Sequence, residues 1–145
     1  MTAVDFWVPG VPVPKGSLRH VGGGRLIESA KGLADWRKAI ADAAWTYRLQ
    51  REPFDGPVQV TLGFHLPRPQ SHFKANDRNR DRKADAPLFP AKKPDLDKLV
   101  RAVLDALTDS GIWRDDSQAV SIAAAKVYAD TRIPGVQVIV SEVVL

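Results

Sequence analysis

Lys93-Pro94-Asp95-Leu96-Asp97-Lys98-Leu99-Val100-Arg101-Ala102-Val103-Leu104-Asp105-Ala106-Leu107-Thr108-Asp109-Ser110-Gly111 is the stretch that decides how the chain is built. Leu96, Leu99, Val100, Val103, Leu104 and Leu107 recur at i, i+3, i+4, i+7, i+8 and i+11, which lines one face of a helix with apolar side chains. Pro94 and Asp95 are start signals and Gly111 is a stop signal, so the spacing predicts a helix over 95–109. Two β-rich runs follow. Residues 118–129 contain Val120, Ile122, Val127 and Tyr128, residues 136–145 alternate, and Pro134-Gly135 separates them. A two-residue turn would make these last strands an antiparallel pair.

Upstream, residues 3–9 read as a short strand ended by Pro9 and Gly10. Residues 17–28 enclose Gly22-Gly23-Gly24 and suggest a small hairpin with a loose turn. Leu33, Trp36, Ile40, Ala43, Ala44 and Tyr47 are spaced for a second helix at about 30–50, with Ser29 as its candidate cap. Residues 57–66 alternate as a half-buried strand. Residues 67–93 then lose all periodicity, and a loop of that length is usually either functional or disordered. The expected fold is α/β (α+β): one domain over 1–145, a mixed sheet with two main helices packed on it, and a long basic loop.

With 145 residues the chain can bury a core unaided. It has no cysteine, which excludes disulfides, thiolate metal sites and a Cys nucleophile. His20, His65 and His72 lack zinc-site spacing. No apolar run approaches the ~20 residues needed to cross a bilayer. The first residues lack a signal peptide's basic and apolar regions, so a cytoplasmic protein with no membrane partner is expected.

The net charge is +4. The loop 67–93 carries Arg68, Lys74, Arg78, Arg80, Arg82, Lys83, Lys92 and Lys93 against Asp77, Asp81 and Asp85. The excess positive charge therefore sits in one segment, which suits a phosphate-backbone contact and equally suits a solvated linker. A smaller basic cluster, Lys15, Arg19, His20 and Arg25, surrounds glycines that would let a backbone approach a phosphate, although no P-loop pattern is present.

Six aspartates and no glutamate fall between 95 and 116: Asp95, Asp97, Asp105, Asp109, Asp115 and Asp116. Capping would explain one acid at the helix start, and ion pairing would explain Asp105 and Asp109. Asp95 and Asp97 together, with a second pair after the helix, call for more. If the following strand ran beside the helix start, Asp116 would meet Asp95 and Asp97. Three carboxylates so gathered repel unless a cation lies between them, and their hard oxygens suit Mg²⁺ or Mn²⁺.

Lys93-Pro94-Asp95-Leu96-Asp97-Lys98-Leu99, then Leu104-Asp105-Ala106-Leu107, then Gly111-Ile112-Trp113-Arg114-Asp115-Asp116-Ser117-Gln118 resembles the RusA-type Holliday-junction resolvases. Those enzymes carry D-L-D-N-L, D-A-L and aromatic-x-D-D-x-Q segments in this order. The opening Val8-Pro9-Gly10-Val11-Pro12-Val13-Pro14-Lys15-Gly16 is similar to phage-type members. The resemblance implies a homodimeric, Mg²⁺-dependent endonuclease, with Mn²⁺ as a substitute, that nicks four-way DNA junctions in recombination and repair. It matches Asp95, Asp97 and Asp116 to the metal-binding acids, and gives Asp115 a secondary role. Arg101 stands where the family has a catalytic lysine, and Lys98 where it has asparagine. Arginine keeps the charge but does not readily release a proton. Lys92, Lys93, Lys98, Arg80, Arg82 and Lys83 are the expected DNA contacts, with Lys15 and Arg19 adding to them. Two other readings fit the residues: a non-catalytic branched-DNA-binding module, and a metal-dependent nuclease of other branched or single-stranded nucleic acid.

Overall fold

The computed structural model describes residues 3–16, 18–20, 26–28, 32–75 and 81–143, with the backbone alone for 18–20 and 26–28. In chain order the elements are β1 (Ala3–Pro9), β2 (Leu18–His20), β3 (Leu26–Glu28), α1 (Leu33–Arg48), β4 (Val58–Leu66), α2 (Leu96–Ser110), β5 (Ala119–Tyr128) and β6 (Gly135–Glu142). Short 3₁₀ turns occupy Gln70–His72 and Asp116–Gln118.

The main sheet is mixed, in the order β1-β6-β4-β5. β6 runs antiparallel to β1 and to β4, whereas β4 and β5 are parallel and joined through α2. β2 and β3 form the expected separate hairpin. One face of the sheet is continuous and apolar: Val4, Phe6 and Val8 of β1, Val136, Val138 and Val140 of β6, and Val60, Leu62 and Phe64 of β4 lie level with one another. The period of two puts every second residue on that face. Trp36, Ile40 and Ala44 of α1 and Leu99, Ala102, Val103, Ala106 and Leu107 of α2 close over it. The helical stripe read from the sequence is therefore the face that α2 buries.

One expectation fails here. β5 and β6 are not an antiparallel pair, because β4 lies between them. Their connection is 129–134, long enough to pass over the end of β4, and not a two-residue turn. It is held there by Ala129 N–H donating to Leu66 O (2.7 Å) and by Gly10 N–H donating to Pro134 O (2.9 Å). At Gly135 a Cβ would collide with the Trp7 ring and the Val8 carbonyl, so this strand start admits only glycine. α1 begins after Gly32 in the left-handed region (φ 77°), and Ser29 lies outside the described residues.

The parallel β4-α2-β5 crossover fixes the polarity of everything that follows. The ends of β4 and β5, at Leu66 and Tyr128, lie at the same edge as the start of α2. The starts of β4 and β5 lie at the opposite edge, with the end of α2.

Candidate active site

The start of α2 is seated by backbone groups. Lys126 Nζ on β5 donates to Lys92 O (2.7 Å) and Pro94 O (2.8 Å). Lys15 N–H donates to Lys98 O (3.0 Å). The Lys93–Pro94 peptide bond is cis. Asp95 occupies the cap position with extended backbone, yet its carboxylate makes no capping bond. The nearest cation to it is Lys98 Nζ at 3.7 Å, and half of the Asp95 side chain is exposed. Asp97 lies in the first turn and is exposed, and no hydrogen bond or ion pair engages its carboxylate among the described residues. Arg101 follows one turn later on the same side of the helix and is exposed as well. The helix dipole favours both acids without occupying their oxygen lone pairs, since its positive end acts through space.

The other acids of α2 are engaged. Lys15 Nζ reaches Asp105 at 2.8 Å, so this expected DNA contact ties the segment after β1 to α2. Arg37 of α1 forks onto Asp109, with one N–H···O distance of 2.9 Å, and lies 3.7 Å from Asp105. Hydrogen bonding from Arg37 holds the Asp109 carboxyl below the usual carboxylate range. These are inter-element ties, not a stripe within the helix. Gly111 closes α2 in the left-handed region, and the buried Trp113 donates from Nε1 to Thr108 Oγ1 (2.8 Å).

Beyond Trp113 the two adjacent acids have different roles. Asp115 accepts from Ser117, through both its hydroxyl and its N–H, which pulls its carboxyl pKa down. Gln118 accepts from the N–H groups of Arg114 (2.8 Å) and Asp115 (3.1 Å), completing a capping box. Its amide donates to Phe54 O (2.9 Å) and Gly56 O (3.0 Å), which pins this turn beneath β4. The Asp116 carboxylate is exposed and makes no such bond.

Asp116 therefore does not meet Asp95 and Asp97 within one chain. They sit at opposite ends of α2, whose 15 residues span roughly 22 Å at the helical rise. Among the described residues, no three Asp, Glu or His side chains are close enough to share a metal ion.

The basic loop is built rather than structureless. The Arg68 side chain is 2% exposed and forks onto Asp130. It also bonds Pro87 O (2.7 Å) and His72 Nδ1 (3.1 Å), and its guanidinium lies 4.2 Å from the centre of the Tyr128 ring. Arg82 shares Asp130 at 3.2 Å, and Lys83 N–H donates to His72 O. Hydrogen bonds from Arg68 hold Asp130 below its ordinary pKa. Lys83, Lys92 and Lys93 point to solvent. Arg80 lies outside the described residues, and Arg19 is placed on β2 by its backbone only. Sequence reading placed Arg68 only among the loop's basic residues and Tyr128 only in a strand, and gave Lys126 and Asp130 no role. The one available signal was an arginine flanked by prolines, which is too common to point to a buried guanidinium.

A family model described as Endodeoxyribonuclease RusA matches residues 9–141. The chain belongs to the RusA endodeoxyribonuclease family. It is 33% identical over 148 residues to the "Uncharacterized protein YqaN" of Bacillus subtilis (strain 168), with 99% of each chain covered. RusA membership supports, in general terms, a Holliday-junction-resolving endonuclease acting on branched DNA and dependent on divalent metal. The RusA-like D-D-x-Q segment now divides by role in this chain: Asp115 and Gln118 build the turn, and Asp116 is the acid left over. Among the described residues, no helix is long and apolar enough to cross a membrane.

Proposed function

We propose that this protein is a Mg²⁺-dependent, structure-selective endonuclease that resolves four-way DNA junctions by paired nicks, working as a homodimer. The observation that carries the reading is the pair of exposed carboxylates at the start of α2, used neither for capping nor, at Asp97, for ion pairing, in a chain of the RusA family. Their oxygens are hard ligands of the kind Mg²⁺ takes, so Asp95 and Asp97 fit the ion, and Mn²⁺ would substitute. When bound, the ion would neutralise phosphate charge and lower the pKa of coordinated water.

The chain's own residues do the rest. Arg101, one turn from Asp97, braces the phosphate and the charge that grows on it during attack. It does so as a fixed cation, because guanidinium does not serve as a proton donor at ordinary pH. Lys92, Lys93 and Lys83 supply backbone contacts, with Lys98 at the rim of the acid pair.

Asp116 enters from a second copy. β5 is an edge strand with one neighbour, and Val120 and Ile122 on it are 63% and 44% exposed. A strand edge of that kind, apolar and unpaired, favours pairing with another chain. Antiparallel pairing of two β5 edges about a two-fold axis near Ile122 sets position 116 of one copy against position 128 of the other. Position 128 is at the edge where Lys126 holds the start of α2. The symmetry then gives two complete acid sets, one per nick.

The direct test is cleavage of a synthetic four-way junction with Mg²⁺ beside a linear duplex of the same sequence. The reading expects paired nicks in the junction and none with Asp97→Asn. Undiminished cleavage by that variant would refute the acid assignment.

A further inference from the structure

Between the segment after β1, the ends of β4 and β5, and residues 87–94 lies a cavity of about 380 Å³. Val11, Pro12, Leu66, His72, Phe89 and Tyr128 are among its walls. This is the size and apolar character of a site for a small planar ring. Its aromatic side is set in advance. The Tyr128 ring is fixed by the Arg68 guanidinium and by the edge of His72, with 5.3 Å between ring centres. Arg68 is in turn locked by Asp130 and Pro87 O. Phe89, one of the lining residues, is 67% exposed, an apolar ring facing water. Lys92, Lys93 and Pro94 also line the cavity, and Asp95 is the next residue. The cavity wall therefore ends one residue before Asp95 and carries two exposed lysines.

We infer that this cavity takes one unstacked nucleobase of the strand to be cut, at the branch point of the DNA. Phe89 stacks on the base, Tyr128 and the prolines wall it in, and Lys92 and Lys93 hold the flanking phosphates. The inference rests on the endonuclease reading and gives its substrate preference a physical source. Drawing a base out of an intact duplex costs stacking and pairing energy, and that cost is least where the helix is already interrupted. A branch point thus yields a base to the cavity more readily than a linear duplex does. Every base has a π-face, so the contact tolerates any sequence. The two lysines favour a nucleotide over a neutral ligand, since a polyanion gains from their charge.

The test is a binding cycle on the full chain in EDTA, where cleavage is stopped. The probes are a four-way junction, the same junction with an abasic residue at each branch-point nucleotide in turn, and a linear duplex. The proteins are the native chain and Phe89→Ala, an exposed position that leaves the fold intact. At one branch position, base removal weakens native binding about tenfold, the order of one base–aromatic stack. Phe89→Ala loses about the same on the intact junction, loses nothing further on that abasic junction, and binds duplex as the native chain does. Losses that multiply independently, or native-like binding of the intact junction by Phe89→Ala, would overturn the inference while leaving the endonuclease reading in place. Failure of the native chain to prefer the junction over duplex would overturn both.

Discussion

At the C-terminal end of α2, Asp105 and Asp109 are met by cations from other elements, Lys15 and Arg37. At the N-terminal end Asp95 has only Lys98 at 3.7 Å, and Asp97 has no partner among the described residues. The same residue type on one helix thus divides into two uses. Where the acids face α1 and the segment after β1, they join elements together. Where they face solvent at the positive end of the dipole, no capping bond engages their oxygens. The distinction turns on what surrounds each carboxylate, since the helix offers both ends the same side chain.

Exchanging substitutions between the two ends should give the sharpest contrast. Asp97→Asn is expected to lower junction cleavage by at least about 100-fold, the order lost when a metal-holding or charge-stabilising group is removed. Its stability should fall by no more than one helix-dipole interaction, up to about 1 kcal/mol, because no contact is lost. Asp109→Asn should do the reverse and retain cleavage within about twofold. If Asp109→Asn were the inactive variant, the division would be wrong.

Arg101 extends the N-terminal set. Arg101→Ala should slow single-turnover cleavage about tenfold with junction binding retained, a modest charge-stabilisation loss. Arg101→Lys should recover most of it, because charge and not guanidinium geometry is required. An Arg101→Ala enzyme of native rate would remove this residue from the site.

A smaller effect concerns binding. Replacing both Lys92 and Lys93 by Gln should reduce the slope of log affinity against log salt by about 2, on junction and duplex alike. A slope unchanged from native would put the DNA path elsewhere.

The smallest effect belongs to the joining end. Losing the Arg37–Asp109 pair should cost about 0.5–1 kcal/mol, the scale of a part-exposed ion pair. Its pH dependence has a fixed sign. The Asp109 pKa is depressed in the folded chain, so the stabilisation is present above the ordinary carboxylate range and is lost as pH falls through the depressed value. Asp109→Asn should therefore flatten part of the acid limb of stability measured by denaturant titration. An identical acid limb would mean the pair contributes nothing.

Much of this was legible in the sequence. The i, i+3, i+4 stripe of α2 is the face buried against the sheet, and Gly111 ends the helix as its left-handed conformation requires. The alternation in 57–66 and 136–142 is the alternation of the buried sheet face. The pairing of β5 was not legible, because Pro134-Gly135 reads as a tight turn until Leu66 O and Arg68 are seen holding 129–134 across the end of β4. The Asp95–Asp97 pair stood out, but its relation to Asp116 did not. A helix joining two parallel strands runs back against them, so a helix start and the following strand start must lie at opposite edges. Taking β5 as a partner of β6 hid that consequence. The Arg68–Asp130 fork joins residues 62 positions apart, and no local pattern marks it.

In the proposed homodimer, each cleavage site takes Asp95 and Asp97 from one copy and Asp116 from the other. Asp97→Asn and Asp116→Asn chains, each inactive alone, can be co-expressed with different tags, isolated as mixed dimers and given a four-way junction with Mg²⁺. A shared site predicts that the mixed dimer recovers nicking on one strand, since one of its two acid sets is wholly native. Mixed dimers as inactive as either parent would contradict the account.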